Sequence, residues 1–259
     1  MSDLIIETRQ DNAAILQFNR PDKRNALSSE LLLELEDKMV ALDDDTDVSG
    51  IILTGNEHAF SAGADLGAAL EAQSPRATHS LLMRFTRVNE TIEAMAKPVV
   101  AAINGYCLTG GLEVAMACDI RVAGEGAKFG ITSAKIGSVA GAGGTQRLPR
   151  LVGEQWAKHL LFSCEFIDAQ TALRIGLVLE VTPPADVLSR AVALVQQYAA
   201  QAPLSLWYAK KAVNTGMQMS LSDAIKFERE LTTVLWTTDD RIEGMQAFLH
   251  KRPAKFSGS

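Results

Sequence analysis

Cysteine is scarce in this chain: three residues among 259, Cys107, Cys118 and Cys164, with no C-x-x-C spacing and no histidine-rich surroundings. No metal site is expected from them, and their apolar neighbours suggest reduced core residues in a reducing compartment, the cytoplasm. Positive charge is also short. Lys and Arg number 25 against 31 Asp and Glu, giving a net charge of −6 and a pI near 5.3. That balance argues against general binding to nucleic acid or to an anionic membrane surface. No apolar stretch approaches the roughly 20 residues needed to span a bilayer. The opening MSDLIIETRQDN has no basic segment followed by an apolar one, so no signal peptide is expected. No G-x-G-x-x-G follows the first strand, so a Rossmann cofactor site is not expected. GAGGTQRLPR (141–150) superficially resembles a phosphate cradle but lacks the Gly-Lys-Ser/Thr ending of a P-loop.

What is present is an ordinary soluble composition, 47% hydrophobic and 22% charged, in a chain long enough to bury a sizeable core. Residues 4–8 and 13–18 read as a hairpin turning at Gln10-Asp11-Asn12. A helix starts after Ser28, with Leu31, Leu35, Met39 and Leu42 at helical spacing. SGIILTG (49–55) is a buried strand; Leu82, Phe85, Val88, Ile92 and Met95 mark another amphipathic helix, stopped at Lys97-Pro98. VVAAI follows as a buried strand. Helices are expected near 154–163, 168–175 and 186–200. After Pro203 only helices remain, one capped at Ser220 with Asp223 and a last one opening at Thr238 or Asp239. We therefore expect an α/β core over residues 1–200 and a helical region over 201–259.

Two glycine-rich loops are placed after strands and before helices: AFSAGADL (59–66) and GYCLTGG (105–111). Either can be a tight turn, or a place where backbone N–H groups approach a ligand without interference from side chains. Two amides converging on one oxygen would stabilise an oxyanion, and a helix amino terminus adds a favourable dipole. The second loop enters an apolar run that contains one charged residue, Glu113. A buried carboxylate costs several kcal/mol unless it is paired, so its position requires a reason.

Four motifs, FNRPDKRNAL (18–27), AFSAGADL (59–66), INGYCLTGGLEVAMACDI (103–120) and FGITSAKIGSVAGAGGTQRLPRLVG (129–153), occur in an order and spacing that resemble the crotonase, or enoyl-CoA hydratase/isomerase, superfamily. DDRIEGMQAFLHKRPAKF (239–256) looks like that family's last helix, so the resemblance covers nearly the whole chain. It implies an α/β fold, a crotonase-like spiral of repeated ββα units with a C-terminal helical trimerisation region, assembled as a homotrimer or a hexamer made of two trimers. It also implies an acyl-CoA thioester substrate and no separate cofactor, coenzyme A being part of the substrate. By the same resemblance, the amides of Ala64 and Gly110 would polarise the thioester oxygen. Arg24 would hold coenzyme A phosphates, unless it is simply a solvated charge. Ala26, Ala62, Asp65 and Leu66 would line the adenine and pantetheine, and Lys251, with Arg252 and Lys255, could reach a neighbouring subunit's phosphates or be merely solvated.

Glu113 matches the first of the two catalytic glutamates of family hydratases, the one that binds water. Capping of its own helix at the Gly110 amide is the alternative, although Thr109 looks like the better capping side chain. The position of the second glutamate falls on Ser133, which can orient water but holds no proton reservoir near neutral pH. A later position used for the acid by some isomerases falls on Gly141. Lys135 is a possible substitute acid, whereas His58 and His79 read as surface polar residues. The leading expectation is a lyase that adds or removes water at a 2-enoyl/3-hydroxyacyl-CoA through an enolate, with Glu113 as the main acid/base. The alternatives are a double-bond isomerase using Glu113 alone, or a catalytically impaired acyl-CoA-binding oligomer.

Overall fold

Chain entry is a tight hairpin. β1 (Ile5–Gln10) and β2 (Ala13–Phe18) pair antiparallel, and Asp11 turns the corner at φ 54°, a conformation Asp tolerates better than most residues. This computed structural model describes residues 3–71 and 74–259. α1 (Ser29–Asp44) is capped where Leu31 N–H donates to Ser28 Oγ at 3.3 Å, and it buries the apolar stripe expected for it. Then follow β3 (Gly50–Thr54), β4 (Ala59–Ser61), α2 (Leu66–Glu71) and α3 (Pro75–Ala94). The next unit is β5 (Val99–Ile103), β6 (Tyr106–Leu108) and α4 (Gly110–Ala117), and the one after it is β7 (Ile120–Gly124), β8 (Lys128–Gly130) and α5 (Gly144–Ser163). β9 (Ile167–Asp168), α6 (Ala169–Arg174), β10 (Glu180–Thr182) and α7 (Val187–Ala199) complete the mixed α/β body.

Each ββα unit sends its first strand to one sheet and its second to another. The larger sheet has the order β1-β2-β3-β5-β7-β10, parallel from β2 onward. The smaller has the order β4-β6-β8-β9, with β9 antiparallel. β5 shows why its sequence is uniformly apolar. Val99, Ala101 and Ile103 face the main core, while Val100 and Ala102 face Ala191, Val192 and Val195 of α7.

α5 corrects the sequence reading. It begins at Gly144 rather than near 154, and Gly153 interrupts it at φ 79°, ψ 159°. Pro149 and the glycines at 141, 143, 144 and 153 mask the helical signal of its first half. α8 (Pro203–Gly216), α9 (Leu221–Leu235) and α10 (Asp239–Leu249) follow as helices alone, with the expected caps at Ser220 and Thr238. They leave large apolar side chains in solvent, among them Leu221, Phe248 (83% exposed) and Leu249 (75%). Lys210 ties α8 to the body through Asp119 at 2.9 Å. All three cysteines are buried and free.

Candidate active site

The entrance to α4 is built around glycines that admit no side chain. A β-carbon on Gly111 would stand 2.6 Å from the Ser61 side chain. One on Gly110 would stand 2.9 Å from the Phe85 ring and 3.2 Å from the Ala64 amide nitrogen, so the Gly110 and Ala64 backbones are close neighbours. As the first residue of α4, Gly110 has an N–H that the helix cannot pair. Ala64 forms a parallel bridge with Leu27 that uses the Gly63 carbonyl and the Asp65 amide. In that geometry the Ala64 N–H points away from Leu27. Two backbone donors thus lie side by side at a helix amino terminus, an arrangement suited to developing negative charge on one oxygen.

Thr109 does not cap α4 with its side chain, contrary to expectation. It stands at φ 45°, ψ −114°, where a β-branched residue is strained by about 1–3 kcal/mol. Its Oγ1 instead lies 3.0 Å from Thr132 Oγ1 and accepts the Thr132 N–H at 3.2 Å.

Glu113, only 3% exposed, does not bind the Gly110 amide either. Its Oε1 accepts the N–H of Ala142 at 2.8 Å and of Gly144 at 2.7 Å. Gly144 is the first residue of α5, so Glu113 satisfies one of that helix's unpaired donors from outside. Burial pushes the Glu113 carboxyl above the usual carboxylate range, while the two amides and the nearby Arg147 charge pull it part of the way back. Oε2 has no protein donor among the described residues. The loop that supplies the two amides is itself held: the Ala142 carbonyl accepts from Asn89 Nδ2 at 2.9 Å and Arg147 Nη1 at 3.2 Å. Arg147 is fixed by two bonds to Glu93, at 2.6 and 2.8 Å.

These groups share one cavity of about 570 Å³. Ala26, Ala62, Ala64, Asp65, Leu66, Gly110, Glu113, Ser133 and Gly141, all named from the sequence, line it. Leu82, packed 3.0 Å from where a Gly141 β-carbon would sit, and Phe85 form part of its apolar wall. Asp65 is paired with Arg20 at 2.7 Å, which holds its carboxyl below the usual range. Ser133, 6% exposed, opens a 3-10 turn (Ser133–Ile136), and its hydroxyl has no protein partner among the described residues.

Other expected residues lie elsewhere. Arg24 is exposed, its guanidinium 5.9 Å from the Tyr106 ring centre, beside a smaller depression that also involves His58. Lys251 is exposed after α10 and does not line the cavity. Lys135 points its ammonium over Phe166 and His79 is exposed, so neither lines the cavity with Glu113. Sequence reasoning missed Lys23, Thr109 and Thr132 as lining residues and Asn89, Glu93 and Arg147 as supports. The polar residues Asn89 and Glu93, four apart on an otherwise amphipathic helix, were the available signal for the last group.

Residues 8–259 match the family model for enoyl-CoA hydratase/isomerase. The chain is 41% identical to crotonyl-CoA hydratase of Syntrophomonas wolfei, over 97% of each chain. It is 40% identical to 2,3-dehydroadipyl-CoA hydratase of Escherichia coli, over the full length of both. Its fold superposes on the crystal structure of an enoyl-CoA hydratase from Bacillus anthracis with a TM-score of 0.95 at 34% identity, covering 99% of this chain and 100% of that one. The protein belongs to the enoyl-CoA hydratase/isomerase family, with the crotonase fold.

Proposed function

We propose that the chain is an acyl-CoA hydro-lyase, adding water to a 2-enoyl-CoA thioester and removing it from the 3-hydroxyacyl product. One observation carries this reading: a buried carboxylate, held at one oxygen by two amides and with no protein donor on the other among the described residues, shares a cavity with two adjacent backbone donors. The Ala64 and Gly110 N–H groups receive the thioester oxygen and bind it more strongly as it becomes an enolate oxygen. Glu113 Oε2 takes a proton from water as the water oxygen bonds to C3 and the C2–C3 electron pair moves toward the thioester. The same carboxyl then returns that proton to C2, so H and OH are added and the carboxylate is restored. A carboxyl titrating above its usual range is better matched to both steps near neutral pH. Hydratase names among relatives at about 40% identity support the same reaction. Arg24 and Lys251, outside the cavity, are available to coenzyme A phosphates, the latter across a subunit boundary. The apolar faces of α8–α10 suit assembly of residues 201–259 into a trimer or hexamer, and the free thiols suit the cytoplasm. Among the described residues no helix is long and apolar enough to cross a membrane.

The test is loss of the conjugated thioester absorbance across a panel of 2-enoyl-CoAs, with uptake of solvent oxygen at C3. No turnover across the panel, or turnover indifferent to Glu113→Ala, would refute the proposal. Because Ser133 provides no second carboxyl, 3-enoyl-CoAs belong in the same panel. Conversion to the 2-enoyl isomer without oxygen uptake would establish isomerisation instead.

A further inference from the structure

The cavity holds more hydrogen-bond donors than the hydration reaction uses. Thr109 Oγ1 accepts the Thr132 N–H and also bonds Thr132 Oγ1. If Thr109 donates to Thr132, the Thr132 hydrogen is left over; if Thr132 donates, the Thr109 hydrogen is left over. Among the described residues the pair therefore keeps one spare O–H, and Ser133 provides another; all three residues line the cavity. A water that attacks carbon needs one lone pair free for the new bond, so it can use one of these donors but not both. Once a bound acyl chain displaces solvent, the second donor is left for an acceptor on the substrate.

Two features narrow what that acceptor is. The thioester oxygen already has the Ala64 and Gly110 amides, so the acceptor is a different oxygen. The buried Glu113 carboxylate faces the same space and repels a second anion at low dielectric, while Lys23, the cation on the lining, is exposed. The backbone points the same way. The chain keeps a β-branched Thr at φ 45°, where glycine would be unstrained, and what that Thr adds is a hydroxyl joined to Thr132.

We propose that Thr109, Thr132 and Ser133 form a hydrogen-bonding wall that selects acyl thioesters carrying an additional neutral oxygen, a hydroxyl, ether or ketone, on the acyl chain. This rests on the hydratase reading above and concerns which enoyl-CoA is preferred.

The measurement is kcat/KM for 2-enoyl-CoAs of equal length: a hydrocarbon, a set with a hydroxyl or methyl ether at C4, C5 or C6, and one ending in a carboxylate. At least one neutral oxygenated substrate should exceed the hydrocarbon by roughly tenfold, with the carboxylate below both. Thr132→Val, Thr109→Val and Ser133→Ala should each bring that ratio down, and Thr109→Ser should keep it. Thr109→Gly, which fits the backbone but carries no hydroxyl, should lose the preference. A wild-type ratio near one at every position, or a ratio unmoved in all three hydroxyl-deleting variants, would overturn the wall. If the wild type turns over no thioester, the hydratase reading fails. The wall is then read separately, by calorimetric binding of saturated oxygenated and hydrocarbon acyl-CoAs, with equal affinities overturning it.

Discussion

α4 has a buried carboxylate at its start and a partly buried one just past its end, and the two are held differently. At its start, Glu113 is bonded by backbone amides alone, both on Oε1, and no cation touches it among the described residues. Just past its end, Asp119 Oδ2 accepts the Val99 N–H at 2.8 Å and the Lys210 ammonium at 2.9 Å. Burial pushes both carboxyls above their usual range. At Asp119 a paired cation, itself bonded to the Ile92 carbonyl at 2.8 Å, makes a fixed strut between α8 and the body. At Glu113 the amides fix orientation without neutralising the charge, so one oxygen stays available to a proton. On the hydratase reading, the difference between a structural acid and a reactive one is the kind of donor each is given.

Substitution at the two positions should separate these roles. Glu113→Gln keeps an acceptor for both amides and is expected to lower kcat by about 10³-fold with the fold intact, checked by hydration rate and circular dichroism. Asp119→Ala should do the reverse, leaving kcat within a few-fold while costing about 1–3 kcal/mol of stability in thermal melts, because Lys210 loses its charged partner and keeps only backbone carbonyls. Arg147→Ala acts on Glu113 from a distance. It removes one of two donors to the Ala142 carbonyl, leaving Asn89, and removes a charge that favours the ionised carboxylate, so kcat should fall about tenfold and the acid limb of the pH profile should move to higher pH.

A smaller effect is expected in stability against pH. The Glu113 carboxyl titrates higher folded than unfolded, so its contribution is most favourable below the unfolded value and is lost as pH rises through the raised one. Glu113→Gln removes that loss. Its melting temperature relative to wild type should therefore rise as pH is taken from below the unfolded value to above the raised one. An equal difference at both ends would mean that the buried charge costs nothing.

The sequence made some of this legible and hid the rest. Elements with a cap or an unbroken apolar pattern were readable: α1 from its Ser28 cap and apolar stripe, and β5 from its unbroken apolar run. The smaller sheet was not, because strands of two or three residues such as β4, β6 and β9 are too short to show a period. Glu113 was readable as an anomaly, a charge in an apolar helix. Its partners were not, since Ala142 and Gly144 act through backbone amides about 30 positions away. Thr109 misled for a related reason. Its residue type fits a helix cap, and only its unusual backbone turns the hydroxyl toward Thr132 instead.

The two amides on Glu113 Oε1 also have a spectroscopic consequence. An N–H hydrogen-bonded to a carboxylate loses much of its downfield proton shift when that carboxylate is protonated. The Gly144 and Ala142 amide resonances should therefore move together as Glu113 titrates, reporting the charge of a 3% exposed side chain without a substrate or a label on the acid itself.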